Sequence, residues 1–165
     1  MTRYSLLSEA WIPVQRLDGK SDKVGLVQAL TQAHNFRGVS DQSPLVSVAL
    51  HRLCLAMIYC VYHPIRNAGD WERIWNKGRF DEEAIQAYAQ KVADCFDLLD
   101  RKRPFYQVPY IEGEKVHPVA ALLIEASSGN NPALFDHGRV EGEDWLPLDR
   151  AACYLLAHQW FGIGG

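Results

Sequence analysis

The feature that most constrains this chain is the apolar helical pattern that opens at Ser43-Pro44 and is stopped by Pro64. Serine followed by proline is an N-cap and a first helical position, because proline lacks a hydrogen-bond donor that the first turn would leave unused anyway. Leu45, Val48, Ala49, Leu53, Ala56, Met57 and Cys60 recur at helical spacing, so the pattern predicts a helix running to about Tyr62 with a broad buried stripe. Such a helix belongs at the centre of a core. The longest uninterrupted apolar stretch, Leu53–Tyr62, is too short to cross a bilayer.

The other segments must assemble around that helix. Residues 11–16 alternate in the manner of a strand, with Pro13 placing it at an edge or near its start. Asp18-Gly19 predicts a hairpin returning through Lys23-Val24-Gly25. Leu26–His34 reads as a short helix with Leu26, Ala29, Leu30 and Ala33 on one stripe. Asp70 is a candidate cap for a helix over Trp71–Lys77, ended by Gly78. Asp81-Glu82-Glu83 begins another, predicted to reach Leu99 with Ile85, Tyr88, Ala89, Val92, Cys95, Phe96 and Leu99 inward. Asp94 and Asp97 would lie solvated on its polar face. Pro104–Pro109 reads as extended between its prolines. A short helix is predicted over Val119–Ala126 and a last one over Leu148–Trp160, with Gly162 placed for a left-handed C-cap. The order predicts an α+β fold, mainly helical, a single domain with small antiparallel β-hairpins and long recognition loops.

Charge and cysteine content limit the function. Residues 1–115 carry fifteen basic and fourteen acidic groups, whereas residues 116–165 carry two basic against six acidic. A protein that holds nucleic acid unaided shows a basic face, so positive charge for such a role must come from partners or from further chain. Cys54, Cys60, Cys95 and Cys153 form no C-x-x-C pair and, with no signal peptide ahead of them, read as free, buried thiols in a reducing cytoplasm. His51 and Cys54 lie three apart on a helix, but no second ligand pair completes a tetrahedral site, so no metal and no other cofactor is expected. Five tryptophans exceed what a core of this size needs, which points to an interface.

Two loops carry the remaining information. Ser127–His137, SSGNNPALFDH, lies between apolar helical patterns, and Gly129-Asn130-Asn131 can present main-chain and amide groups along an irregular path. As a plain surface turn it would need no function. Phe161–Gly165, FGIGG, follows a helix instead of joining strand to helix, which excludes a dinucleotide loop. Its glycines allow a backbone to approach another surface closely. Arg101-Lys102-Arg103 is the one basic run: a helix C-terminal charge complement, or a set of phosphate contacts. The absence of a polar tail after Gly165 suggests a fragment of a longer protein.

Four segments in order, Leu7–Val14 (LSEAWIPV), Pro104–Pro109 (PFYQVP), Ser128–His137 (SGNNPALFDH) and Ala157–Gly165 (AHQWFGIGG), span nearly the whole chain. Together they resemble the amino-terminal domain of the CasA family, the large subunits of the type I-E CRISPR surveillance complex, Cascade. The resemblance implies a non-catalytic, cytoplasmic subunit covering residues 1–165 of such a chain, without the carboxy-terminal helical bundle. It implies recognition of the protospacer-adjacent motif in double-stranded DNA, with Phe161, Gly162, Ile163, Gly164 and Gly165 approaching from the minor groove. It implies that Gly129, Asn130, Asn131, Leu134, Phe135 and Asp136 contact the 5′ handle of the CRISPR RNA and neighbouring subunits. Arg101, Lys102 and Arg103 remain candidate phosphate contacts. Implied partners are the backbone, handle-binding and small subunits, the guide RNA, target DNA and a helicase–nuclease effector, with no membrane. The family's lysine finger and glutamine wedge lie beyond Gly165. Paired cysteines that suggest a metal site in some relatives have no counterpart in Gly138–Pro147. A different class stays open: a small enzyme using Asp136, His137 or His158 beside the SSGNN loop. So does an interaction domain outside CRISPR.

Overall fold

The computed structural model describes residues 3–109, 112, 119–122 and 145–162. The first element is a hairpin. Strand β1 (Ile12–Arg16) turns through Gly19, which takes φ +87°, into β2 (Ser21–Val24), with Ile12 opposite Val24 and Val14 opposite Asp22. Ile12, Val14 and Val24 face the core. A third strand that the periodicity did not reveal, β3 (Phe36–Val39), pairs antiparallel with the other side of β1, giving the order β2-β1-β3. Pro13 therefore sits in the central strand, at its second residue. The strand-start expectation holds and the edge one does not. β3 is four residues long with a glycine inside it, too short for alternation to show.

Helix α1 (Leu26–Thr31) and a 3-10 turn at Ala33–Asn35 link β2 to β3. α2 (Pro44–Val61) begins as expected: the Ser43 hydroxyl accepts from the Val46 N–H at 3.2 Å. Its buried stripe is Val46, Ala49, Leu50, Leu53, Met57 and Ile58. Val48, Ala56 and Cys60 are exposed, a correction of about one residue in phase. An apolar helix on all sides gives periodicity little to choose between. By length and composition α2 would also suit a bilayer, but its inward face packs against α5, α4 and β3.

α3 (Ala68–Trp75) is capped by Asn67, whose side-chain oxygen accepts from the Asp70 N–H at 3.0 Å. Asp70 is thus a first-turn acid, not the cap, and it accepts from the Arg66 N–H instead. α4 (Glu82–Val92) is capped by Asp81 and ends seven residues before the predicted Leu99, in a 3-10 turn at Ala93–Cys95. The reason is tertiary. Residues 96–98 leave the helix to pair with the amino-terminal segment: Leu6 N–H donates to Phe96 O at 2.8 Å and Leu98 N–H to Tyr4 O at 3.0 Å. Residues 119–122 form a 3-10 turn; the rest of the predicted 119–126 helix lies outside the described residues. α5 (Leu148–Phe161) lies along α2. The core gathers around Trp11, 1% exposed, whose indole N–H donates to Leu6 O at 2.7 Å and whose ring meets Phe105 edge-on at 6.5 Å. The whole is α+β, five helices and a three-stranded antiparallel sheet among the described residues.

Candidate functional site

The end of α5 that enters the FGIGG run is positioned by what holds its beginning. Arg150 pairs with the buried Asp41 carboxylate through both guanidinium nitrogens and donates to the Tyr154 hydroxyl at 2.9 Å. Burial disfavours the Arg150 charge, but these bonds override it and push its pKa up. Asp149 pairs with Lys23 of β2; partial burial works against the carboxylate, and the lysine still holds its pKa below the usual value. Ala152, Cys153, Leu156 and Ala157 are buried, and the Cys153 thiol donates to Trp11 O at 3.4 Å.

Beyond Ala157 the character changes. His158, Gln159 and Trp160 are exposed, Phe161 is half-buried, and the Arg52 guanidinium lies 4.0 Å from the centre of the Trp160 ring. Gly162 donates to His158 O at 2.7 Å and then turns extended, φ −61° and ψ 127°. This corrects the left-handed C-cap. The glycine is needed here for space: a Cβ would lie 2.6 Å from His158 O and 3.1 Å from two atoms of the imidazole. Ile163, Gly164 and Gly165, and the loop residues Gly129, Asn130, Asn131, Leu134, Phe135 and Asp136, lie outside the described residues.

The basic run is in a folded loop, not at a helix end. Asp97, predicted solvated, is buried; its Oδ1 accepts from the N–H groups of Tyr4 and Leu99 at 3.1 and 3.0 Å, and Arg3 approaches its other oxygen at 3.1 Å. The Asp100 carboxylate accepts from the N–H groups of Lys102 and Arg103, both at 2.7 Å, and these bonds hold its pKa low. Arg101, Lys102 and Arg103 are left pointing to solvent, with Arg103 donating to the Cys95 sulfur at 3.1 Å. Pro104–Pro109 is a turn, correcting the extended reading: Gln107 N–H donates to Pro104 O at 3.2 Å, its side chain to Leu98 O at 3.0 Å, and Phe105 inserts into the core. The loop is tied to α5, because the Gln159 amide donates to Tyr106 O at 3.3 Å. Sequence reasoning missed both Asp97 and this tie. Asp100 before a charged run was the available signal, since aspartate folds the backbone two and three residues on.

Among the described residues, little resembles a catalytic centre. Desolvation pushes the Cys54 and Cys153 thiols up to about 12, which keeps them protonated. Cys60 and Cys95 are free but exposed, against the expectation of burial. Among the described residues no group of three His, Cys, Asp or Glu could hold a metal, and no hydrogen bond joins His158 to a serine or cysteine. An apolar groove of about 390 Å³ lies between Phe36, Val39, Leu55, Trp71 and Phe80. His51, which lines it, sits with Nδ1 2.7 Å from its own helix's Ser47 carbonyl.

Comparison with known proteins adds what geometry cannot. Residues 5–165 match the family model for CRISPR-associated protein Cse1. The CRISPR-associated protein CasA/Cse1 of Thermus thermophilus is 38% identical over 165 residues, covering 100% of this chain and 33% of the relative. The crystal structure of Cse1 from Acidimicrobium ferrooxidans superimposes with TM-score 0.80 at 29% identity, over 98% of this chain and 29% of that one. A chain of a CRISPR RNA-guided surveillance complex, at 22% identity, shares the fold with TM-score 0.78 over 96% of this chain and 34% of its own. This chain thus spans about a third of the length of the relatives it matches.

Proposed function

Because the chain belongs to the Cse1 family of CRISPR-associated proteins, we propose that it is the amino-terminal recognition module of a Cascade large subunit. The module is non-catalytic and works in the cytoplasm. It tests double-stranded DNA for the protospacer-adjacent motif through the backbone at Phe161–Gly165, while Gly129–Asp136 contacts the guide RNA handle and adjoining subunits. It contributes to the surface on which the helicase–nuclease docks. The observation that carries this reading is the family match across 5–165, which includes both loops. One feature of the geometry supports it: where the chain leaves α5 at Gly162 there is no room for a side chain, so the backbone at that residue is bare. A bare backbone suits the narrow minor groove, whose edges distinguish sequence poorly and so fit a short motif. Target sequence is then read by guide pairing.

The test uses the full-length protein added to a guide-loaded complex that lacks its large subunit. Recovery of DNA binding that depends on the motif is expected; failure of the protein to associate would overturn the reading. Phe135→Ala in the same system should weaken incorporation roughly 10-fold, as loss of an aromatic anchor does. Normal retention of that variant would remove the handle loop from the interface.

A further inference from the structure

Among the described residues, Tyr106 is the one non-glycine residue with a positive φ. Its φ is +52°, a left-handed conformation that is an outlier for a bulky residue. The surroundings enforce it. Phe105 is anchored in the core and donates its N–H to Asp97 O at 2.9 Å, the Gln107 amide bridges Leu98 O and Phe105 O, and Gln159 holds the Tyr106 carbonyl. The product of this strain is a tyrosine ring stood edge-on against Phe105, centroids 4.7 Å apart and planes at 87°, and left 46% exposed. Strain of this kind persists where the rest of the structure over-determines it, and it clusters at binding sites.

The position of the ring gives it a partner. Three residues before it is Arg103, the last of the three exposed cations, a separation of at most about 11 Å along the chain. The carbonyl of Tyr106 is bonded to Gln159, three residues, about 4.5 Å of helical rise, before Gly162. Asp97 is paired with Arg3, and Asp100 turns its Oδ1 to the N–H groups of Lys102 and Arg103, so the loop sets three exposed cations against one exposed carboxylate. Cations beside an exposed aromatic ring, within reach of several phosphates, are the composition that binds nucleic acid. We infer that Tyr106 is a DNA-contacting residue, and that residues 97–107 form one preorganised element that sets its ring against the duplex reached by Gly162 while Arg101–Arg103 hold the phosphates. This rests on the functional reading above, and adds to it an aromatic contact and a positioning residue, Gln159.

The experiment measures motif-containing duplex binding by the full-length protein in the guide-loaded complex, across a salt series. Tyr106→Ala should lower affinity roughly 10-fold with the salt slope unchanged, and Tyr106→Phe should bind within about 2-fold of wild type, because packing of the ring on the sugars of the duplex, not its hydroxyl, is what is lost or kept. The combined R101Q/K102Q/R103Q variant should instead reduce the slope of log K against log salt by about 2 to 3. Tyr106→Gly separates contact from folding: it relieves the left-handed backbone, so thermal stability should hold or rise while affinity falls as for alanine. A stable Tyr106→Gly variant that binds DNA as wild type does would overturn the inference alone. Wild-type complex that binds without regard to the motif would overturn the functional reading, and the inference with it.

Discussion

The two ends of α5 are built on opposite principles. At the front, Arg150 and Asp149 are clamped by Asp41 and Lys23, and Ala152, Cys153 and Leu156 are sealed into the core. At the back, among the described residues, the half-buried Phe161 packs against the core, the Gln159 amide donates to Tyr106 O, and Arg52 stacks on a Trp160 that is 39% exposed. One end fixes where the helix points; the other is left available. A backbone meant to meet another molecule has to be delivered accurately and still be uncovered, and a single helix gives both only if its two ends are treated differently.

The largest effect should come from breaking the clamp. Arg150→Met leaves the Asp41 carboxylate, 2% exposed, without its countercharge and should cost about 3 kcal/mol in urea unfolding. Adding Asp41→Asn should recover part of that loss. A cost below about 1 kcal/mol would mean that the front of α5 is no anchor. At the back, Trp160→Ala should cost less than about 1 kcal/mol, the range of an exposed cation–π pair. A larger loss would make Trp160 structural and erase the contrast.

How much of this was legible beforehand follows from the range of the interactions. The Ser43 cap, the Asp18-Gly19 hairpin and the extent of α5 are local, and residue types a few positions apart specify them. The phase of the α2 stripe was not, because Val48 and Leu55 are as apolar as the buried Val46 and Leu50, and only the packing of α5 and β3 decides between them. The early end of α4 likewise depends on a partner ninety residues away, the Tyr4–Leu6 segment. In the site, the glycine run and the basic run stood out by composition. The Tyr106 turn did not, since its left-handed backbone is imposed by Gln159 and by the burial of Phe105, neither of which a pair of flanking prolines announces.

The measurement that bears most directly on the central claim is motif-dependent DNA binding by full-length Gly162→Val in the reconstituted complex. The valine side chain would collide with the His158 carbonyl and imidazole, displacing the chain where it leaves the helix while the clamp at Arg150 keeps the domain folded. Motif discrimination should fall at least roughly 10-fold, with global stability within about 1 kcal/mol of wild type. A Gly162→Val complex that discriminates motif from non-motif DNA as wild type does would contradict the account.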